Sequence, residues 1–89
     1  AALKRSQKLL PEMEKIFNRH GLPIGLTRIP FVESAFNQKA RSRVGAFGIW
    51  QFMPRTARQY VRGRNLASWN DPMNQTKGAV RLLKHYRRL

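Results

Sequence analysis

Proline and glycine divide this chain so finely that only short helices fit between them. Five prolines and six glycines fall along 89 residues, and a proline within a helix removes a backbone donor and crowds the preceding turn. Between these breaks the apolar residues recur at helical spacing, and no segment of useful length alternates with period two. That pattern predicts an all-α domain. Pro11 suits the first turn of a helix reaching to about His20, with Met13, Ile16, Phe17 and His20 on one face. Gly21 is its expected left-handed stop, and residues 1–10 are expected as a short preceding helix or a frayed arm. A second helix is expected over residues 23–36, bent at Pro30, with Leu26, Ile29 and Phe36 on one stripe. Residues 37–52 read as a loop. Pro54 opens a third helix ending near Arg62, with Gly63 as its stop. Asp71 and Pro72 give the cap and first position of a fourth, whose buried side would be Ala79, Val80, Leu82, Leu83 and Tyr86.

The charge balance narrows the chemistry. There are 18 Lys and Arg residues against 4 Asp and Glu, a formal net charge of +14. The excess is uneven: residues 55–89 hold nine basic residues and one acidic, a net of +8. A surplus of this size points to a polyanion, or to something embedded in one. With 42% hydrophobic residues the chain is too apolar to be a disordered basic tail. No run approaches the roughly 18 apolar residues that a membrane span requires. The first residues also lack the apolar stretch of a secretory signal, so any export signal is expected to have been removed or never present. Cysteine is absent, which leaves no disulfide framework and no thiolate metal site. No repeat or linker divides the chain, and residues 1–89 are expected to form one domain.

So few acids can be weighed one at a time. Glu12 and Glu14 fall where the first turn of a helix is expected and would complement its dipole. Asp71 reads as a cap. Glu33 is different, because it follows Ile29 at i+4 and precedes Phe36 at i+3 and so lies on the apolar stripe of the second helix. An acid there would lose solvent, which favours its protonated form, the form a general acid needs to protonate a leaving oxygen. The other reading of Glu33 is a half-exposed helix end paired with an arginine. No second carboxylate accompanies it, so the two-acid scheme of most glycosidases is not available within the chain.

The run Gly45-Ala46-Phe47-Gly48-Ile49-Trp50-Gln51-Phe52-Met53-Pro54 is the other informative stretch. Its glycines allow close backbone approach or positive φ. Its aromatics and the amide of Gln51 suit a carbohydrate groove, or equally a buried connector with Phe47, Trp50 and Phe52 as core. His20 and His85 have no acidic partner in register and read as helix-end or surface residues. Trp69 is expected to pack over the last helix.

The Phe31-Val32-Glu33-Ser34-Ala35-Phe36-Asn37 segment, followed by the glycine run through Met53-Pro54-Arg55-Thr56-Ala57, resembles the soluble lytic transglycosylase (SLT) domain. That domain belongs to the goose-lysozyme-like family that cleaves bacterial peptidoglycan. Gly21-Leu22-Pro23 and Ile29-Pro30 are similar to the corresponding steps of its membrane-bound murein branch, and the likeness covers residues 20–83 approximately. The resemblance implies an all-α, lysozyme-like fold and lytic cleavage of the bond between N-acetylmuramic acid and N-acetylglucosamine. Glu33 matches the single catalytic acid/base and Ser34 the serine that supports it. Gln51 and Met53 match residues that hold the glycan, and Gly48 a glycine that lets the groove backbone approach the sugar. The resemblance implies no cofactor and no metal. It implies peptidoglycan strands as partner, with acidic envelope polymers as a further partner for the basic surplus. The implied location is the bacterial cell envelope or periplasm, in a chromosomal, phage-borne or secreted protein. The family's later Ala-Tyr-Asn motif does not occur before Leu89, so the chain is expected to hold the earlier part of that domain. Two rival readings follow from these features. One is a glycan-binding module without catalysis. The other is a basic nucleic-acid binder, but the arginines do not form the mixed aromatic and basic stripe that would support specific nucleic-acid recognition.

Overall fold

The computed structural model describes residues 1–87. These form five helices, α1 (Ala2–Arg19), α2 (Ile29–Ser34), α3 (Pro54–Tyr60), α4 (Leu66–Asn70) and α5 (Pro72–Arg87), with a 3-10 turn (Ile24–Arg28) leading directly into α2. No strand occurs among the described residues, only isolated bridges within the segment between α2 and α3. The expected all-α class is therefore observed. No helix among these residues is long and apolar enough to cross a membrane.

The helix boundaries show which local rules prevailed. Residues 1–10 are neither an arm nor a separate helix: they are continuous with the residues that follow in α1, and Pro11 lies inside it. Pro11 and Gln7 are both exposed, so the carbonyl that the proline leaves unpaired faces water and the helix survives. Glu12 and Glu14 consequently sit in mid-helix and not in a first turn. Glu14 instead pairs with Arg28 of the 3-10 turn. At the other end the expected stop is present. Gly21 has φ +67°, its N–H donates to Asn18 O, and the N–H of Leu22 donates to Phe17 O at 3.0 Å. This paired closure is completed by contact between the apolar Leu22 and Phe17.

Pro30 does more than bend the second helix. The chain changes from a 3-10 turn to α-helix at Ile29, and Pro30 takes the opening turn of α2, where its missing N–H costs nothing. Ser34 ends the helix, since Ala35 and Phe36 both adopt left-handed backbone with φ of +53° and +59°. Arg5 of α1 donates from Nε to Ala35 O at 3.0 Å, and Phe36 is buried against Phe31, ring edge to face at 4.6 Å. Further on, α3 stops at Tyr60, and the extended residues after it lead to α4, a helix the spacing did not predict. Asn65 caps α4 by accepting from Ser68 N. Asp71 caps α5 as expected, its Oδ2 accepting from Met73 N and Asn74 N at 3.1 and 3.0 Å. On α5 Ala79 and Val80 are buried, but Tyr86 is 61% exposed and does not belong to the buried side.

Helix α5 contacts α1, α3 and α4, and the core forms around it as three adjoining clusters. Phe47, Phe52, Ala57, Val61 and Ala79 make one, with Trp69 packed on it as expected. Ile16, Phe17, Leu22 and Val80 make the second, and Met13, Phe36 and Ile49 the third. Trp50 touches all three. It lies parallel to Phe17, with ring centroids 5.8 Å apart, and its indole N–H donates to Thr76 Oγ1 at 3.0 Å. The aromatics of the glycine run are thus core residues.

Candidate active site

The segment from Gly45 to Met53 is a tight turn held from several directions. Phe47 and Phe52 exchange both backbone hydrogen bonds across it, at 3.0 and 3.1 Å. Gly48 (φ +79°) and Gln51 (φ +53°) supply the left-handed corners. From below, the fully buried Gln75 of α5 accepts from Trp50 N at 3.1 Å and donates to Phe47 O at 3.2 Å. From the side, the Ser34 hydroxyl donates to Ile49 O at 2.7 Å. This last bond fastens the end of α2 to the turn, and Glu33 is the neighbouring residue on that helix.

Beside the turn lies an open cleft of about 290 Å³. Its walls are mostly apolar, with Ile29, Met53, Leu82 and Leu83 among them, and Gln51 and Thr56 supply polar groups. The Gln51 amide nitrogen donates to Gly48 O at 2.8 Å and Ala40 O at 3.2 Å, while its Oε1 accepts nothing from the described residues. The side chain is therefore held in place with an acceptor left for a ligand. Met53 is 41% exposed at the rim.

The five residues singled out from sequence do not all meet in one place. Gln51 and Met53 line the cleft, and Ser34 and Gly48 shape the turn behind it. Glu33 is not among the lining residues. It stands one helical turn beyond Ile29, which does line the cleft, and so lies along the same side of α2. The expectation of a desolvated Glu33 is overturned, because Glu33 is exposed. The stripe assumed one helix through Phe36, whereas the left-handed Ala35 turns Phe36 into the core and leaves Glu33 in solvent. Gly48 gains an internal reason for being glycine: a Cβ there would lie 2.1 Å from Gln75 Nε2.

Gln75 and Thr76 are the supporting residues that sequence reasoning missed. Both are fully buried polar side chains, and a polar Asn-Gln-Thr step near the start of a helix gives no pattern that would mark them. Ser34 can be tested directly. Ser34→Ala leaves the buried Ile49 carbonyl without its donor, and urea unfolding should show a loss of about 1–2 kcal/mol.

The profile of the Transglycosylase SLT domain matches residues 13–88. Membrane-bound lytic murein transglycosylase D of Escherichia coli strain K12 is 33% identical over 73 residues, which cover 80% of this chain and 16% of that protein. The protein of the same name from Escherichia coli O6:H1 matches equally. The matched region thus spans about a sixth of the length of these curated relatives. No solved structure matches the chain. A profile match over this much of an all-α chain, with the Glu-Ser step and the Gly-x-x-Gly-x-x-Gln-x-Met-Pro run fastened to one another, makes the chain a member of the Transglycosylase SLT domain family.

Proposed function

We propose that this chain binds peptidoglycan strands and cleaves the β-1,4 bond between N-acetylmuramic acid and N-acetylglucosamine, with Glu33 as lone acid/base. The observation that supports it best is the Ser34 bond to Ile49 O. It links the helix bearing Glu33 to the turn that presents Gln51 and Met53 to the cleft. The Glu33 carboxyl gives its proton to the glycosidic oxygen, and the bond from that oxygen to the muramic C1 breaks. The N-acetylglucosamine leaves with a free 4-hydroxyl. The resulting carboxylate then takes the proton of the muramic 6-hydroxyl as its oxygen bonds to C1. A 1,6-anhydro ring closes, no water is consumed, and Glu33 ends protonated as it began. The substrate's own N-acetyl group stabilises the cationic state, which fits a chain whose other acids lie elsewhere, Glu12 and Glu14 on α1 and Asp71 at the cap of α5. Gln51 Oε1 accepts from a sugar hydroxyl or amide, and Met53 and Ile29 pack on ring faces. In this reading residues 1–89 act as one domain in the bacterial envelope, with the motif-bearing part at residues 20–83.

A second reading, a glycan-binding module without catalysis, is favoured by one fact: Glu33 is exposed and its carboxylate accepts no hydrogen bond from the described residues. Mass spectrometry of the products from purified sacculi separates the two. Anhydromuramic ends are expected. Reducing ends would mean hydrolysis, and retention on sacculi without any product would mean binding alone.

A further inference from the structure

The basic surplus of the last third is not used by the cleft. On α5, Arg81, Lys84 and His85 lie on the side away from Ala79, Leu82 and Leu83, which face the cleft. There a separate cavity of about 370 Å³ is lined by Gln59, Tyr60, Arg81, Lys84 and His85. Arg81 and Lys84 of α5 bring cations to it, and residues from two other parts of the fold stand beside them. Arg81 is half-buried and held, donating from Nη1 to Tyr60 O at 2.7 Å. Lys84 Nζ lies 3.3 Å from His20 Nδ1 at the end of α1, a contact only a neutral imidazole can accept. Arg62, just beyond α3, is close enough to act on Arg81.

No acid balances this group among the described residues. Glu12 lines a different cavity, with Arg19 and Lys77, Glu14 is paired with Arg28, Asp71 caps the far end of α5, and Glu33 belongs to α2. The cations therefore disfavour one another. Burial, then Lys84, Arg19 and Arg81, push the His20 imidazole below its usual 6.5. Burial and then Arg62 likewise lower Arg81. Half-buried cations such as Arg81 and Lys84, close together without a counter-charge, are what an anion would relieve.

We propose that Arg81 and Lys84, flanked by His20 and Arg62, form a binding site for a phosphate-type oxyanion, separate from the cleft. Phosphate suits it better than a single carboxylate. It offers three acceptor oxygens and up to two charges to the donors of Arg81 and Lys84, and the guanidinium, with its planar fork, suits two of those oxygens. The cavity has room for the group attached to the phosphate. The ligand is then either a free phosphate monoester or the repeating phosphodiester of an anionic polymer.

The test is NMR on the full 89-residue chain, titrated with inorganic phosphate and with sodium chloride at matched ionic strength. Saturable shifts are expected with phosphate at His20, Arg62, Arg81 and Lys84, together with a rise in the His20 titration midpoint. Lys84→Gln and the exposed Arg62→Gln should each weaken binding, Lys84→Gln by about tenfold. Trp50 fluorescence confirms that the fold is intact. A parallel titration with poly(glycerol phosphate) identifies the source. Tighter binding per phosphate than the inorganic ion assigns the diester polymer, and weaker binding assigns the monoester. Equal shifts with chloride, shifts spread evenly to Arg55 and Arg58, or unchanged binding by both variants would overturn the site.

Discussion

Glu33→Gln is expected to abolish release of anhydromuropeptides from sacculi while leaving the protein as stable as before. Glutamine keeps the size and polarity of the side chain but can neither give up a proton to the glycosidic oxygen nor take one from the 6-hydroxyl. Loss of positioned proton transfer lowers rates by about 100- to 10,000-fold, and here the same group serves both steps, so the upper part of that range applies. Because Glu33 is exposed and pairs with no described residue, stability should change by no more than about 0.5 kcal/mol. Sacculus binding should be retained, which separates a catalytic role from a role in holding glycan. Undiminished anhydro products from the variant would sink the assignment of Glu33.

The largest effect on folding is expected from Gly48→Ala. Two independent penalties meet at this position. Its φ of +79° lies where a side chain is disfavoured, at a cost of about 1–2 kcal/mol. The new Cβ would also lie within 2.4 Å of Gln75 Nε2, Cδ and Oε1. A side-chain terminus can usually swing away, but this one is fully buried and bonded at both ends, to Trp50 N and Phe47 O. Moving it breaks two buried hydrogen bonds, each worth about 1–3 kcal/mol when a partner is left unsatisfied. A total of about 3 kcal/mol or more is expected, lowering the melting temperature by roughly 12 °C or more. Gly45→Ala is the control, because φ there is +97° but nothing lies within 4 Å of the added carbon. It should show the conformational penalty alone. The double variant Gly48→Ala/Gln75→Ala should cost less than the sum of its parts, since removing the amide removes the overlap. Strict additivity would mean that the close approach does not matter.

Much of the fold was readable because its rules are local. Asp71 before Pro72 and Gly21 before Pro23 mark helix ends through backbone geometry that depends on a few adjacent residues. Pro11 misled because whether proline ends a helix depends on what surrounds the carbonyl it orphans, and exposure cannot be read from spacing. Glu33 misled for a related reason. Its placement assumed that helical periodicity continued past Ser34, but burial of Phe36 against Phe31 compensates a left-handed Ala35 that no propensity anticipates. Ser34, Gly48, Gln51 and Met53 were found through motifs, and the structure explains what each does locally. Gln75 and Thr76 escaped entirely, because a buried polar side chain is recognisable only by the distant groups it satisfies.

The hold of Gln75 and Thr76 on Trp50 also sets an order of assembly. The turn from Gly45 to Met53 is closed locally by the pair at Phe47 and Phe52 and by Gln51, but two of its hydrogen bonds come from residues 25 and 26 positions later. Such contacts form only after a long loop has closed. The turn therefore leaves the ribosome before the helix that shapes it, and Phe47, Trp50 and Phe52 gain the last part of their cover only when α5 docks. The cleft is then among the last features to form during synthesis and among the first lost when α5 lifts away. Its rise in protection from hydrogen exchange should follow that of α5 and never precede it.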